Sequence, residues 1–218
     1  GDPTLYNDDI FAIIVLSRAG YANDAILVKA GHFVLTMQKT NGGWDGPDIT
    51  AAAIQALAAL GSNAEFDASL ASARGYLENI QSADGGWGSS FATSWVLQAF
   101  KALAIDPRSI MKNGKSGYDA LVSLQQSDGG MEDVLTALDT RIWATAYAVP
   151  AAAEKAWQDI LAAFTRVSQS AAALTNGGSG ESGAGGTTTA EATTTSSSAV
   201  TAEVAGVATS SDVGAATG

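Results

Sequence analysis

The 218-residue chain contains no cysteine and a single histidine, His32. The first absence excludes disulfides, thiolate metal sites and cysteine nucleophiles. The second leaves no basis for a histidine-rich metal centre or for a triad that draws on another histidine. Basic residues are scarce, 11 against 22 acidic ones, and the formal net charge is −11. That balance argues against holding nucleic acid through a basic surface. No apolar run approaches the ~20 residues that cross a bilayer, so no membrane span is expected. No cofactor is expected either. Gly1 rather than Met stands first. The chain reads as a processed or trimmed piece, so a missing leader says nothing about compartment.

Large side chains run out near Thr175. From there to Gly218 the sequence is, apart from Asn176, Gly, Ser, Thr, Ala and Val with a few acids, without an aromatic or a basic residue. Such a segment has little to offset the entropy cost of ordering it. The expected division is therefore a folded domain over 1–174 and a low-complexity linker or stalk over 175–218. The hydroxyl-rich run TTTAEATTTSSS suits a glycosylated or wall-spanning stalk; the lack of proline argues slightly for a plain linker.

What is present is a phrase used three times: QKTNGGWDGP from Gln38, QSADGGWGSS from Gln81 and QQSDGGMEDV from Gln125. Trp44 and Trp87 are 43 residues apart, and Trp87 and Met131 are 44 apart. A period in this range marks stacked supersecondary units. After each phrase comes a segment apolar on nearly every side, such as TAAAIQALAAL (Thr50 to Leu60) and FATSWVLQAFKAL (Phe91 to Leu103). DIFAIIVLSRAG and WATAYAVPAAA fit the same slot. Helices of that kind are buried all round. Before each phrase the pattern is amphipathic. Phe66, Leu70, Ala73, Leu77 and Ile80 share one face, and polar residues fall between them. The expectation is an all-α fold of about four αα-hairpins, near 8–38, 50–81, 91–126 and 140–166. Inner helices face one another and outer helices wrap them, as an α/α barrel or an arc of one. Gly20 and Gly61 fall where C-cap glycines belong. Asp24 and Asp67 fall near helix starts.

The phrase itself reads as a joint. Gly42 and Gly43, Gly85 and Gly86, and Gly129 and Gly130 permit a sharp reversal after the outer helix. Trp44, Trp87 or Met131 then returns against the helix pair, which stabilises by roughly a few kcal/mol for a Trp. Gln38, Gln81 and Gln125 are expected to satisfy orphan backbone groups at the following helix start.

KAGHFVLTMQKTNGGW, from Lys29 to Trp44, carries a basic residue, an aromatic, the Gln, the Gly and the Trp at set intervals. It resembles the QW repeat of squalene–hopene cyclases and related prenyltransferase/squalene-oxidase repeat proteins. The second copy keeps Tyr76, Leu77, Gln81, Gly85 and Trp87 but loses the basic residue. The third has Ala120 for the aromatic and Met131 for the Trp. The resemblance covers roughly 5–166 and implies an α/α toroid, of which four hairpins are a partial ring. About six are needed to close it, so self-association or a further domain of a longer protein is implied. In this superfamily one fold hosts several functions. The cyclases resemble one another in an acidic DxDD motif, which this chain lacks; its nearest acids are Asp8, Asp9, Asp45 and Asp48. Zinc-dependent prenyltransferases and complement-type thioester domains of this fold need a cysteine. Cobalamin carriers with a related helical barrel need no catalytic residue.

The mouth formed by the N-terminal ends of the inner helices is the expected binding site. Asp8, Asp9, Asp48, Thr50, Thr93, Trp95, Thr145 and Tyr147 are its candidates, with helix capping the competing role for the threonines and core packing for the aromatics. Trp143 and Trp157 read as packing residues. The leading expectation is a non-catalytic, exported or cell-surface domain. It would bind an apolar or carbohydrate-like ligand, or a protein. The alternative is a terpenoid-cyclase-like enzyme acting on a polyprenyl substrate. A ligand-free structural module is the third possibility.

Overall fold

Ala-rich, Gly-punctuated segments with few β-branched runs form helices here, and the fold is all-helical. The structure is a computed structural model that describes residues 2, 4–132 and 136–161. These lie in the first of two units into which the chain divides, Gly1–Gln169 and Ser170–Gly218. The expected stalk over 175–218 lies outside the described residues, as does the end of the fourth hairpin.

Eight α-helices are described: α1 (Tyr6–Leu16), α2 (Ala25–Thr36), α3 (Pro47–Ala59), α4 (Ala64–Ile80), α5 (Ser90–Ala102), α6 (Gly117–Leu124), α7 (Leu138–Ala152) and α8 (Trp157–Ile160). α3 packs on α1 and α5, and α5 packs on α7. α2 lies against α1, α4 against α3, and α6 against α5. The two central helices are buried as their sequences require. In α3 every residue from Thr50 to Leu57 is buried, and in α5 every residue from Ala92 to Phe100. α4 buries only Phe66, Ser69, Ala73 and Leu77. The first and last members of the row differ from the expectation of all-round burial. α1 leaves Val15 and Leu16 exposed, and α7 leaves Leu138, Ile142, Trp143 and Val149 exposed. Among the described residues each has an α3- or α5-like neighbour on one side only.

The helix ends repeat along with the helices. Gly20 and Gly61 take φ of +90° as C-cap glycines. The equivalent place after α5 is held by Ala104 (φ +57°) and after α7 by Glu154 (φ +55°). Both close the same pair of bonds: Ile105 N–H to Phe100 O with Ala104 N–H to Lys101 O, and Lys155 N–H to Pro150 O with Glu154 N–H to Ala151 O. The α4 cap is Asn63, whose side chain accepts from Glu65 N–H and Phe66 N–H, rather than Asp67. Asp24 occupies the N-cap of α2.

The third hairpin departs most from expectation. Its outer helix is only α6, eight residues long. Before it stand a 3₁₀ turn (Pro107–Ser109) and a two-stranded ribbon, β1 (Met111–Lys112) and β2 (Lys115–Ser116). Asn113 and Gly114 form the ribbon's tip with φ of +52° and +74°, the conformation a two-residue hairpin turn demands. In the fourth, α8 folds back to α1 and α3. There Trp157 N–H donates to Gln55 Oε1 (2.8 Å) and Arg18 Nε donates to Leu161 O (3.1 Å).

Candidate functional site

The three phrases adopt one geometry. In each, the residue after the Gln and the first glycine close a tight loop: Lys39 N–H to Gly43 O and Gly42 N–H to Lys39 O, Ser82 to Gly86 and Gly85 to Ser82, Gln126 to Gly130 and Gly129 to Gln126. Asn41, Asp84 and Asp128 each accept from the N–H two residues on, as short polar side chains do in turns. Gly42, Gly85 and Gly129 take φ of +88°, +88° and +84°. The indoles of Trp44 and Trp87 donate back to Val34 O and Leu77 O, each ten residues upstream. Gln38 and Gln81 do not serve the following helix start. Their Nε2 groups bridge the loop carbonyl of Gly42 or Gly85 to a carbonyl of the next outer segment, Ser69 or Ile110. The glutamine therefore ties one hairpin to the next.

The threonines belong to this joint. Thr50, Thr93 and Thr145 Oγ1 accept the backbone N–H of Trp44, Trp87 and Met131 at 2.9, 3.0 and 3.0 Å. Thr50 and Thr93 are buried, and none of the three lines the mouth described next.

At the N-terminal ends of α1, α3, α5 and α7 lies an open cleft of about 430 Å³, lined by Asn7, Phe11, Asp48, Ile49, Ala52, Phe91, Trp95, Trp143 and Tyr147. Of the residues the sequence nominated for the mouth, Asp48, Trp95 and Tyr147 meet here. Tyr147 and Trp95 have ring centroids 5.5 Å apart. Phe11 stands edge-on to Trp95 at 5.7 Å, and Phe91 and Trp143 stand edge-on to Tyr147 at 5.7 and 6.4 Å. Trp157 stacks on Trp95 at 5.6 Å and 12°. Trp95 is thus held by rings around it and is 5% exposed, whereas Trp143 is 62% exposed. Trp143, read from sequence as a packing residue, is the open wall of the cleft. Asn7, Phe11 and Phe91 were not singled out by sequence reasoning. Phe11 and Phe91 sit on α1 and α5 one turn from the nominated residues, and Asn7 adjoins the Asp8–Asp9 pair. Asn7 Oδ1 is buried without a hydrogen-bond partner. Among the described residues no lysine, arginine or histidine lines the cleft.

The other acids stand apart. Asp8 and Asp9 lie in the first turn of α1, where carboxylates favour the helix dipole. Asp45 is exposed and accepts from Lys39 Nζ (2.7 Å) and Tyr6 Oη. The Lys39 ammonium foremost, then the Tyr6 hydroxyl, hold its carboxyl below the usual range. Burial, with the Asp45 carboxylate beside it, pushes the Tyr6 phenol up to about 12. A carboxyl so stabilised in its ionised form carries no proton to donate near neutral pH. Among the described residues no group of three or more His, Cys, Asp or Glu could hold a metal ion. None of the described helices is long and apolar enough to cross a membrane.

No family model, curated protein or solved structure matches the chain.

Proposed function

We propose that the chain is a partial α/α toroid of QW-repeat type that binds a ligand in the aromatic cleft and performs no chemistry on it. α1, α3, α5 and α7 are its inner helices, and α2, α4 and α6 are outer ones. The aromatic cleft carries the reading: five aromatic side chains converge on a space of about 430 Å³, within the ~300–1,000 Å³ of small-molecule sites. The exposed Trp143 ring offers a flat apolar surface for stacking. Asp48 and the unpartnered Asn7 Oδ1 offer hydrogen-bond acceptors at its rim. A carbohydrate-like ligand uses both, with C–H faces on the rings and hydroxyls on the acceptors; a pure hydrocarbon uses only the rings. Export to the cell surface is what the family resemblance implies, and the acidic, cysteine-free composition is compatible with it.

Titration with a panel of neutral oligosaccharides and with farnesol tests this, read by tryptophan fluorescence. Saturable binding lost in Trp143→Ala supports it; no binding across the panel counts against it. A second reading, a terpenoid-cyclase-like enzyme, draws on Asp48 at the same apolar cleft. Against it, Asp48 is exposed, and a strong acid for protonating an alkene needs a dry setting. Incubation with squalene and shorter polyprenyl substrates separates the two. A cyclised product that disappears in Asp48→Asn favours the enzyme.

A further inference from the structure

The aromatic cleft is built from two repeated positions. Thr50, Thr93 and Thr145 share one slot in α3, α5 and α7, each accepting the N–H of Trp44, Trp87 or Met131. Asp9 holds that slot in α1, as far ahead of Gly20 as Thr50 is ahead of Gly61. Asn7, Asp48, Phe91 and Trp143 stand two residues before the slot, and Phe11, Ala52, Trp95 and Tyr147 stand two residues after it. With Ile49 these are the lining of the cleft. The four helices do not fill the two positions alike. α5 and α7 supply four rings, whereas α1 and α3 supply one ring, an amide, a carboxylate and the small Ala52. The cleft therefore has an aromatic side and an acidic side.

The acidic side is not neutralised as carboxylates are elsewhere in the chain. Asp45 pairs with Lys39, Glu78 with Arg74, Asp128 with Arg141, and Glu154 with both Lys101 and Arg108. Asp48 has no ion pair among the described residues. Asn7 Oδ1 adds a buried acceptor without a hydrogen-bond partner. Phe91 and Trp143 also border a second hollow of about 310 Å³, shared with Asp139 and Thr140. Asp139 likewise has no ion pair among the described residues. The N-termini of α1, α3 and α7 would by themselves favour an anion. Their first turns already hold Asp8 and Asp9, Asp48, and Asp139.

The face of an aromatic ring carries the negative part of its quadrupole. A cation over that face is attracted, more strongly as it sheds water. Rings and carboxylate thus favour the same ligand charge. A neutral ligand uses the rings and leaves the carboxylate unanswered, and a carboxylate or phosphate ligand is repelled by it. The chain makes this combination once within itself: the Arg108 guanidinium stands 4.5 Å from the Tyr118 ring centroid and pairs with Glu154. Building on the ligand-binding reading of the same cleft, we infer that its ligand class is an organic cation. A quaternary or protonated ammonium group lies on the Phe91, Trp143 and Tyr147 rings, and Asp48 balances its charge. Neutral sugars and hydrocarbons use the same apolar surface and bind there more weakly.

The probes are choline and its carbon isostere 3,3-dimethylbutanol, which match in shape and differ in a charged nitrogen for a neutral carbon. Each is titrated to about 30 mM, at constant ionic strength, into the full chain labelled with ¹⁵N. The indole N–H signals of Trp143, Trp95 and Trp157 are the readout. The expected result is saturable shifts with both, choline binding about tenfold more tightly. Asp48→Asn weakens choline about threefold and leaves the isostere unchanged, while Trp143→Ala weakens both. Asp67→Asn on α4, which removes the same charge away from the cleft, changes neither. Equal or reversed affinities for the pair, binding of neither, or choline binding indifferent to Asp48→Asn overturns the inference. The neutral oligosaccharides and farnesol then show what else has failed. If one of them binds and Trp143→Ala abolishes it, the cleft is a ligand site of another class; if none binds, the ligand-binding reading falls as well.

Discussion

Gly85 and Gly129 occupy the same place in the same turn, and replacing each with alanine separates two costs that usually travel together. Both have φ near +85°, +88° and +84° respectively. A Cβ in this left-handed region costs roughly 1–2 kcal/mol, partly offset by about 0.4–1 kcal/mol from the stiffer unfolded chain. Gly129→Ala meets nothing else, since the space around its Cβ is open to 4 Å. It should destabilise by about 1 kcal/mol or less. Gly85→Ala carries the same strain and drives a methyl into backbone, at 2.4 Å from Ser116 O and 2.7 Å from Lys115 C and O. Backbone atoms held by the ribbon and the α6 cap cannot step aside as a side-chain tip can. Overpacking of this kind adds about 1–3 kcal/mol, for a total of roughly 2–4 kcal/mol. Urea unfolding at 25 °C, followed by tryptophan fluorescence and far-UV circular dichroism, measures both. Equal losses for the two variants would refute the view that the phrase is a socket clasping the next hairpin. A larger loss at Gly129 would reverse it.

Further outcomes follow from the same geometry. Thr93→Val removes the acceptor for the buried Trp87 N–H and should destabilise by about 1–3 kcal/mol without altering ligand affinity, which denaturant unfolding and binding assays report separately. Ala104→Gly relieves a non-glycine residue at φ +57° in an exposed C-cap and should stabilise by up to about 1 kcal/mol, seen as a higher urea midpoint. The Tyr6–Asp45 pair gives two pH limbs. Tyr6, raised to about 12 when folded, favours the fold below the ordinary phenol pKa of about 10. That contribution is lost as pH climbs from there through about 12. Asp45, lowered when folded, favours the fold above the ordinary carboxyl pKa of about 4 and loses that contribution as pH falls through its folded value. Tyr6→Phe should flatten the alkaline limb of a stability–pH curve; an unchanged limb would assign it to other groups.

The parts of the fold legible in the sequence were those written in periodic burial. TAAAIQALAAL and FATSWVLQAFKAL are apolar all round because α3 and α5 have neighbours on every side, and they read as such. The 43-residue spacing of Trp44 and Trp87 located the joints. The same reasoning overreached at α1 and α7, which among the described residues stand at the two ends of the row α1, α3, α5, α7. Burial is set by what stands alongside, which a helix's own sequence does not contain. The ribbon at Met111–Ser116 carried a recognisable signal, Asn113–Gly114, that was absorbed into the expected long hairpin. The site was half legible. Trp95 and Tyr147 meet because they share a register, two residues after Thr93 and Thr145; Asp48 lies one turn earlier, two residues before Thr50, and reaches the same cleft from the start of α3. The threonines, two residues away from each of these, turn instead to the Trp44, Trp87 and Met131 amides, since a buried N–H leaves little alternative. Trp143 reads as a packing residue because its exposure is set by what stands beside α7, which α7's own sequence does not contain.

The division of labour between joint and cleft is tested most directly by the five tryptophan indole N–H signals in a ¹H–¹⁵N spectrum. The probe is the oligosaccharide or farnesol that gives saturable fluorescence. The account predicts that Trp143 shifts most and that Trp95 and Trp157 follow through ring stacking. Trp44 and Trp87, bonded to Val34 O and Leu77 O, should stay where they are. Shifts at Trp44 and Trp87 with Trp143 unmoved would make the repeated phrase the binding site and contradict the account.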